Sequence, residues 1–235
     1  MDIISGAVFD LDDTIYFERE YVLSGFRFVA HALADGTAEA ETAFAFLLHD
    51  FESAVRGNSF DRLLAQFPSL RLKWTVADVV ALYRSHKPVI KMQPEVENLL
   101  DRLKRNGVRL ALITDGPVAS QSGKISALAA DRFFAPILLT DLWGEEFRKP
   151  HPRAFQEVMR RWQIKPEQLI YIGDNPAKDF VAPRALGWRT ARVRLEQQLR
   201  YRGEASAPEF AAELEFRRFS ELTQWLLTAC GLEHV

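Results

Sequence analysis

Cysteine is almost absent from this sequence: Cys230 is the single one among 235 residues. One cysteine excludes an intrachain disulfide, and it fits a reducing compartment without proving one. Leucines surround it at positions 226, 227 and 232. They favour a packed, unreactive thiol over a nucleophile.

Long hydrophobic runs and a strong charge of either sign are also missing. No stretch approaches about 18 uninterrupted apolar residues, the length that spans a bilayer. Residues 1–6 lack the basic start and apolar centre of a signal peptide. The formal net charge is −2, which points to neither nucleic acid nor a membrane surface as partner. We therefore expect a cytoplasmic protein.

Apolar residues make up 48% of the chain, enough for a buried core and one or two domains. Residues 17–88 show helical periodicity only and are rich in aromatic side chains. From Pro94 onward, helical patterns alternate with short apolar strands. This alternation is typical of βαβ units in a parallel sheet that is covered on both faces.

The sequence thus predicts an α/β fold, a Rossmann-like parallel sheet with helices on both faces and an inserted all-helical domain. We predict a core of residues 1–16 and 89–235, and a helical insertion of residues 17–88. Three local expectations are specific. Residues 68–74 form a connection, residues 177–186 form a helix, and Ser220 caps the last helix.

The stretch that follows the first strand carries three carboxylates in four residues, Asp10, Asp12 and Asp13. Side chains alternate along a strand, so Asp10 and Asp12 tend to point the same way. The carboxyl ends of parallel strands are where α/β sheets bind ligands, and two carboxylates there suit Mg²⁺. Because acidic residues also favour plain turns, this stretch alone leaves both interpretations open.

Three further polar clusters favour the metal site. One strand runs into residues 114–116, another runs into residues 173–175 with Asp179 beyond, and Lys149 lies between them. In a parallel sheet these strand ends share one edge. Four carboxylates (Asp10, Asp12, Asp174 and Asp179) against one lysine leave three uncompensated negative charges. Such a cluster repels itself unless a carboxyl takes up a proton or a cation binds.

These four segments, in this order, resemble the four motifs of the haloacid dehalogenase superfamily. The helical insertion is placed like that family's type 1 cap, so the resemblance covers nearly the whole chain. It implies an Mg²⁺-dependent phosphatase in which Asp10 is the nucleophile and Asp12 the general acid and base. Because the family's dehalogenases lack a residue like Asp12, this residue argues against dehalogenation.

The resemblance also implies the remaining site residues. The phosphate-binding groups would be Thr114, Asp115, Gly116 and Lys149. The Mg²⁺ ligands would be Asp10, Asp174 and the main-chain carbonyl of Asp12. Asp179 and Asn175 would support these groups from behind. Asp13 is the acidic residue with the weakest claim to a role, since it can simply cap the turn.

Three functions remain open at this point. The first is hydrolysis of a small phosphomonoester, a sugar phosphate or a nucleoside monophosphate, by a monomer or homodimer. The second is a phosphomutase or phosphotransferase with the same aspartyl-phosphate, and the third is a non-catalytic phosphate-binding module. The candidate substrate contacts in the cap are Arg19, Arg27, Arg56 and Asn58.

Overall fold

The computed structural model describes residues 2–54, 57–199 and 203–232. Within them, six strands form one sheet in the spatial order β3-β2-β1-β4-β5-β6, and all neighbouring strands are parallel. The strands are β1 (Gly6–Phe9), β2 (Arg109–Thr114), β3 (Ile137–Leu139), β4 (Leu169–Gly173), β5 (Arg189–Val193) and β6 (Leu214–Phe216). The predicted parallel α/β sheet is confirmed.

Alternating side chains divide the sheet into two apolar faces. On one face, Phe9 belongs to a cluster with α6 (Pro94–Arg105) and α10 (Phe219–Ala229). On the other face, Val8 belongs to a cluster with α8 (Arg153–Trp162) and α9 (Val181–Ala185). Because both faces are covered, β1 is buried at every position and its sequence is a continuous apolar run.

The chain between β1 and α6 forms a helical cap. Its helices are α1 (Glu18–Leu33), α2 (Thr37–Glu52), α3 (Ser59–Gln66), α4 (Pro68–Arg71) and α5 (Val76–Ser85). They enclose an apolar core of their own, which includes Phe26, Leu47 and Val79. The cap that the sequence predicts is therefore present, while its division from the core at residues 16/17 and 88/89 stays a prediction.

Three local expectations were wrong in detail. Residues 68–71 form the short helix α4, because Pro68 at its first position has the backbone angle that starts a helix. Helix α9 begins only at Val181, since residues 175–179 form a hydrogen-bonded turn. Helix α10 begins at Phe219, and Glu221 accepts from the main-chain N–H of Arg218, so Ser220 lies inside the helix.

The sequence analysis also made predictions about the cysteine and about membrane-spanning segments. Cys230 is buried, and burial raises the pKa of its thiol to about 12, as a packed and unreactive cysteine requires. In the described part of the chain, none of the helices combines the length and the hydropathy that crossing a membrane would need.

Gly6 is a point where the two layers of the core approach closely. A methyl group at this position would lie 2.7 Å from Leu169 Cδ2 and 2.7 Å from Trp162 Cζ3. Both neighbours are buried, so neither can move aside without disturbing the packing of β4 or α8.

We therefore expect Gly6→Ala to destabilise the protein by about 1–3 kcal/mol, which is a fall of roughly 2–12 °C in melting temperature for a chain of this size. Circular dichroism measures the melting. Gly203→Ala is the matched control, because a methyl group there meets no atom within 4 Å. Equal melting temperatures for the two variants would contradict the close packing at Gly6.

Candidate active site

The site lies where the order of the strands reverses. Strand β1 sits between β2 and β4, and in such sheets a crevice opens at the carboxyl ends of the central strands. The N–H of Asp10 donates to the carbonyl of Ile172 (2.8 Å), which fixes Asp10 at the end of β1 beside β4. A cavity of about 380 Å³ lies at this edge, and its lining includes Asp10, Asp12, Gly116 and Asp174.

Lys149 lies behind Asp10 in a fully buried ion cluster. Its Nζ is 2.6 Å from Asp10 Oδ1, 2.8 Å from Asp179 Oδ1 and 2.8 Å from the hydroxyl of Tyr171. Burial alone would lower the pKa of this lysine, but Asp10 and Asp179 outweigh burial and raise the pKa well above its ordinary value. Lys149 is therefore a cation, and it forms an ion pair with Asp179.

Asp10 has the ionisation state of a nucleophile at neutral pH. Burial raises the pKa of its carboxyl to about 6, while the charge of Lys149 limits the increase. A group with this pKa is mostly ionised at pH 7. The second oxygen of Asp10 receives no hydrogen bond from any residue that the structure describes.

Asp174 is a buried carboxylate without a cation of its own. No residue in the described ranges donates a hydrogen bond to it, and burial, Asp179 and Asp10 together raise its pKa well above the ordinary value. Oxygens of Asp10, Asp174 and Asp179 lie within 4.8 Å of one another. Because Asp179 is engaged by Lys149, Asp10 and Asp174 are the carboxylates left for a metal. This donor set of hard oxygens fits Mg²⁺.

Asp12 occupies a different environment only two residues away. Lys124 Nζ lies 2.7 Å from its Oδ1, Gln121 Nε2 lies 3.1 Å from its Oδ2, and the hydroxyl of Tyr16 donates to it as well. Burial opposes ionisation here too, but Lys124 and these hydrogen bonds outweigh it and lower the pKa of Asp12 to about 2. Asp12 is thus an anion, which is the protonation state of a base.

The loop after β2 reaches the same cavity. The hydroxyl of Thr114 accepts from Gln121 Nε2 (2.8 Å), which leaves its hydrogen to be donated elsewhere. The N–H of Gly116 already donates to Asp141 Oδ1 (3.1 Å), and Arg148 holds that carboxylate through two hydrogen bonds. That Thr114, the N–H groups of residues 115–116 and Lys149 bind phosphate stays a prediction.

Asp115 contributes a carboxylate that links the loop to two lysines. It accepts from the main-chain N–H of Lys149 (3.1 Å) and from Nζ of Lys178 (3.1 Å). Burial would raise its pKa, but both lysines act against burial and lower the pKa below its ordinary value. Asp115 thus holds Lys178 at the wall of the cavity.

The turn after β4 is shaped by Asn175. Its Oδ1 accepts from the N–H of Ala177 (2.9 Å), and its own N–H donates to Asp179 Oδ2 (2.9 Å). Asn175 therefore holds Asp179 toward Lys149 by fixing the turn. Whether its side chain also supports a metal or a substrate stays a prediction.

Asp13 is also an anchor of the backbone. Its Oδ1 accepts from the N–H of Glu18, at the start of α1, and its Oδ2 accepts from the N–H of Leu199, both at 2.8 Å. Its φ is +54°, in the left-handed region that aspartate tolerates better than most residues. Asp13 thus ties the entry to the cap to the segment after β5.

Sequence reasoning missed several polar side chains that surround the two catalytic candidates. They are Tyr16, Gln121, Lys124, Tyr171 and Lys178. A signal existed for Gln121 and Lys124, because residues three apart share one face of a helix, and α7 (Val118–Ala127) starts directly after the loop 114–116. The other three resemble ordinary strand, loop and surface residues in the sequence.

The cap residues that reach the cavity are not those that the sequence suggested. Those at the cavity are Glu18, Tyr21, Tyr83 and Arg84. Of the expected contacts, Arg19 pairs with Glu52 and Arg27 with Glu41 instead. Asn58 is exposed and does not line the cavity, and Arg56 lies outside the described residues.

Comparison with known proteins identifies the family of this chain. Residues 4–187 match the family model described as haloacid dehalogenase-like hydrolase. The chain belongs to this family. It is 28% identical over 217 residues to a glyceraldehyde 3-phosphate phosphatase of Methanopyrus kandleri, with 88% of this chain and 92% of the relative covered. This relative supports the prediction that the chain is a phosphatase-type member of the family.

Two further likenesses extend over most of the chain. Pyrophosphatase PpaX of Bacillus thuringiensis (strain Al Hakam) is 24% identical over 210 residues, which cover 88% of this chain and 91% of that protein. The magnesium-bound structure of YfnB from Bacillus subtilis superimposes with a TM-score of 0.66 at 19% identity, covering 96% of this chain and 99% of that one. This structural likeness supports the fold.

The charges of the site predict how Mg²⁺ and pH affect stability. The raised pKa of Asp10 contributes stability that is present below about pH 3.8 and is lost as the pH rises through about 6, and the raised pKa of Asp174 acts in the same direction. Because Mg²⁺ competes with these protons, it should stabilise the protein more at pH 7.5 than at pH 5.5.

Thermal melts with and without Mg²⁺ at the two pH values measure this effect. At a concentration about 100 times the dissociation constant, the gain at pH 7.5 should be about 2.7 kcal/mol, which is several degrees. Asp174→Asn should lose the gain, whereas the surface change Asp101→Asn should retain it. A shift that is equal at both pH values and survives Asp174→Asn would contradict the proposed ligand set.

Proposed function

We propose that the protein is an Mg²⁺-dependent phosphomonoester hydrolase that acts on a small phosphorylated metabolite through an aspartyl-phosphate. The observation that carries this proposal is the pair of unlike aspartates. Asp10 faces a buried lysine, with a pKa of about 6, and Asp12 faces Lys124, with a pKa of about 2. Two carboxylates whose environments separate their pKa values are typical of sites that divide catalytic roles between them.

The first half of the reaction transfers the phosphoryl group to Asp10. A carboxylate oxygen of Asp10 forms a bond to phosphorus while the bond from phosphorus to the substrate oxygen breaks. Asp12 is an anion in the free site, so it first takes a proton from the incoming monoprotonated phosphate ester and then gives that proton to the departing oxygen. Lys149 and Lys178 supply positive charge for the phosphoryl oxygens.

The second half releases phosphate. A water oxygen attacks phosphorus, Asp12 takes the proton from that water, and the bond between phosphorus and Asp10 breaks. This step restores the Asp10 carboxylate, and Asp12 returns to its anion when the proton leaves with the phosphate. When bound by Asp10, Asp174 and the main-chain carbonyl of Asp12, Mg²⁺ would screen the negative nucleophile from the negative phosphoryl group.

The relatives support this chemistry at the level of the substrate class. One is named for glyceraldehyde 3-phosphate and the other for pyrophosphate, which are both small phosphorylated molecules. A cavity of about 380 Å³ is near the lower limit for ligand sites, and so suits a compact substrate such as a sugar phosphate better than a nucleotide. The magnesium in the YfnB structure supports the choice of cation.

Asp10→Asn should lower phosphate release by more than about 10³-fold, because an amide cannot act as the nucleophile. Chelation by EDTA should abolish the same activity, and added Mg²⁺ should restore it. A panel of phosphomonoesters with a phosphate assay measures both effects, with Asp61→Asn on the surface of the cap as control. Activity that survives either change would rule out the mechanism.

The same panel separates hydrolysis from the two other functions. Release of inorganic phosphate without an added acceptor excludes an obligate phosphotransferase. No turnover of any ester by the wild-type protein with Mg²⁺ would favour a non-catalytic phosphate-binding module.

Lys124 supports the proton transfer because it holds the Asp12 carboxylate in place. Lys124→Met should therefore slow the hydrolysis of alkyl phosphates by about tenfold or more, because their leaving oxygen needs a proton. It should slow the hydrolysis of p-nitrophenyl phosphate by less than about threefold, because that leaving group needs no proton.

Steady-state kinetics with the two ester classes provides the measurement, and the values of kcat/KM are compared because they exclude the hydrolysis of the aspartyl-phosphate, which both classes share. Lys165→Met, on an exposed loop residue, is the control. An equal loss for alkyl and aryl esters would mean that Lys124 only supports the fold.

A further inference from the structure

Arg84 is the basic residue that the cap contributes to the described lining of the cavity. It lies in the last turn of α5 and is exposed, and its guanidinium makes no ion pair or hydrogen bond within the described parts of the chain. The core lysines of the site are all engaged. Lys124 pairs with Asp12, Lys149 pairs with Asp10, and Lys178 pairs with Asp115. Arg84 is thus the cation of the site that is available to a ligand.

The backbone holds Arg84 close to the loop that follows β2. The hydroxyl of Ser120 donates to the main-chain carbonyl of Arg84 (3.2 Å). Ser120 is in the first turn of α7, directly after the loop 114–116. The neighbouring Tyr83 packs edge-on against Tyr21, with ring centroids 5.6 Å apart, and both rings line the cavity. The position of Arg84 is therefore fixed at the cap wall, beside an aromatic surface.

Arg84 belongs to a cap helix, whereas the residues expected to hold the reacting phosphoryl group belong to the core. The phosphoryl group must meet Asp10 at the end of β1, where Lys149 and Lys178 already supply positive charge. Arg84 lines the same cavity from the cap, and we assign this cap side of the cavity to the leaving group. The acidic residues Glu18 and Asp12 line the cavity as well and would repel an anionic leaving group. A guanidinium overcomes such repulsion because it binds a carboxylate or phosphate through two parallel hydrogen bonds.

We propose that Arg84 binds a second anionic group on the leaving part of the substrate. The substrate class is then a small phosphate ester whose alcohol carries a carboxylate or a second phosphate. This inference rests on the proposed function and narrows it. Three other arginines of the cap do not offer the same site, because Arg19, Arg27 and Arg62 pair with acidic residues of the cap itself.

Matched substrate pairs test this inference. The first pair is 3-phosphoglycerate and glyceraldehyde 3-phosphate, which differ by a carboxylate against an aldehyde. The second pair is propane-1,3-diol bisphosphate and its monophosphate. The wild-type protein should prefer the anionic member of at least one pair by about tenfold or more in kcat/KM, and the pair that it selects tells carboxylate from phosphate.

In Arg84→Gln, the ratio of kcat/KM for the anionic member to that for its partner should fall close to one, mainly through a higher KM for the anionic member. Arg84→Lys should retain part of the preference. Arg71→Gln, an exposed arginine of α4 outside the cavity, should leave the preference unchanged. The ratio within one variant does not depend on how much protein is folded. No preference in the wild type, or an equal preference in Arg84→Gln, would overturn the inference.

Calorimetric titration of Asp10→Asn with the same compounds keeps the two proposals apart, because it needs no turnover. Adding Arg84→Gln to Asp10→Asn should weaken binding of the anionic member about tenfold. If the wild type hydrolyses no ester but this difference persists, the proposed hydrolase fails while the anion site stands. If the wild type is active and the difference is missing, the anion site fails alone.

Discussion

The ammonium group of Lys149, enclosed between the carboxylates of Asp10 and Asp179, is the interaction on which this site depends. All three side chains are buried, so none can be balanced by water. Removing one partner of such a cluster leaves an uncompensated charge and typically costs about 3–5 kcal/mol. The three residues come from the end of β1, the segment before α8 and the turn after β4. Their mutual attraction thus fixes three distant parts of the chain at one edge of the sheet.

Around this cluster, the polar side chains fall into two groups with opposite effects. Lys149 and Asp179 lie behind Asp10, where burial outweighs the lysine and leaves the carboxyl with a raised pKa. Lys124, Gln121 and Tyr16 surround Asp12 and hold it as an anion. Two aspartates that are neighbours on one strand end therefore differ in proton affinity, since their partners come from different elements. Among the described residues, none donates a hydrogen bond to the carboxylate of Asp174, and this uncompensated charge is the reason to expect a cation.

The fold, and which residues lie at the centre of the site, could largely be predicted from the sequence. Strand ends with polar residues are visible as patterns, and a parallel sheet brings all of them to one edge, so Asp10, Asp174, Lys149 and Asp179 could be grouped without coordinates. The resemblance of four ordered motifs added a division of roles among these residues, which stays a prediction.

What could not be predicted depends on directions that a linear pattern does not contain. Gln121 and Lys124 lie on a helix face whose orientation toward Asp12 is set by packing, and Lys178 resembles a solvated lysine until the turn after β4 is known. For the same reason, Arg19 and Arg27, which the sequence suggested as substrate contacts, pair with acidic residues of the cap, while Arg84 lines the cavity. The expected helix at 177–186 is shortened, because Asn175 and Asp179 engage the backbone of its first turn.

The central claim is that Asp10 receives the phosphoryl group, and trapping that group tests the claim most directly. The protein is mixed with a turned-over phosphomonoester and Mg²⁺, quenched in acid within one turnover, digested and examined by mass spectrometry. The account predicts a phosphoryl group on the peptide that contains residues 7–16, located at Asp10 and absent from Asp10→Asn. A phosphoryl group on another residue, or rapid turnover with no covalent adduct at any quench time, would contradict it.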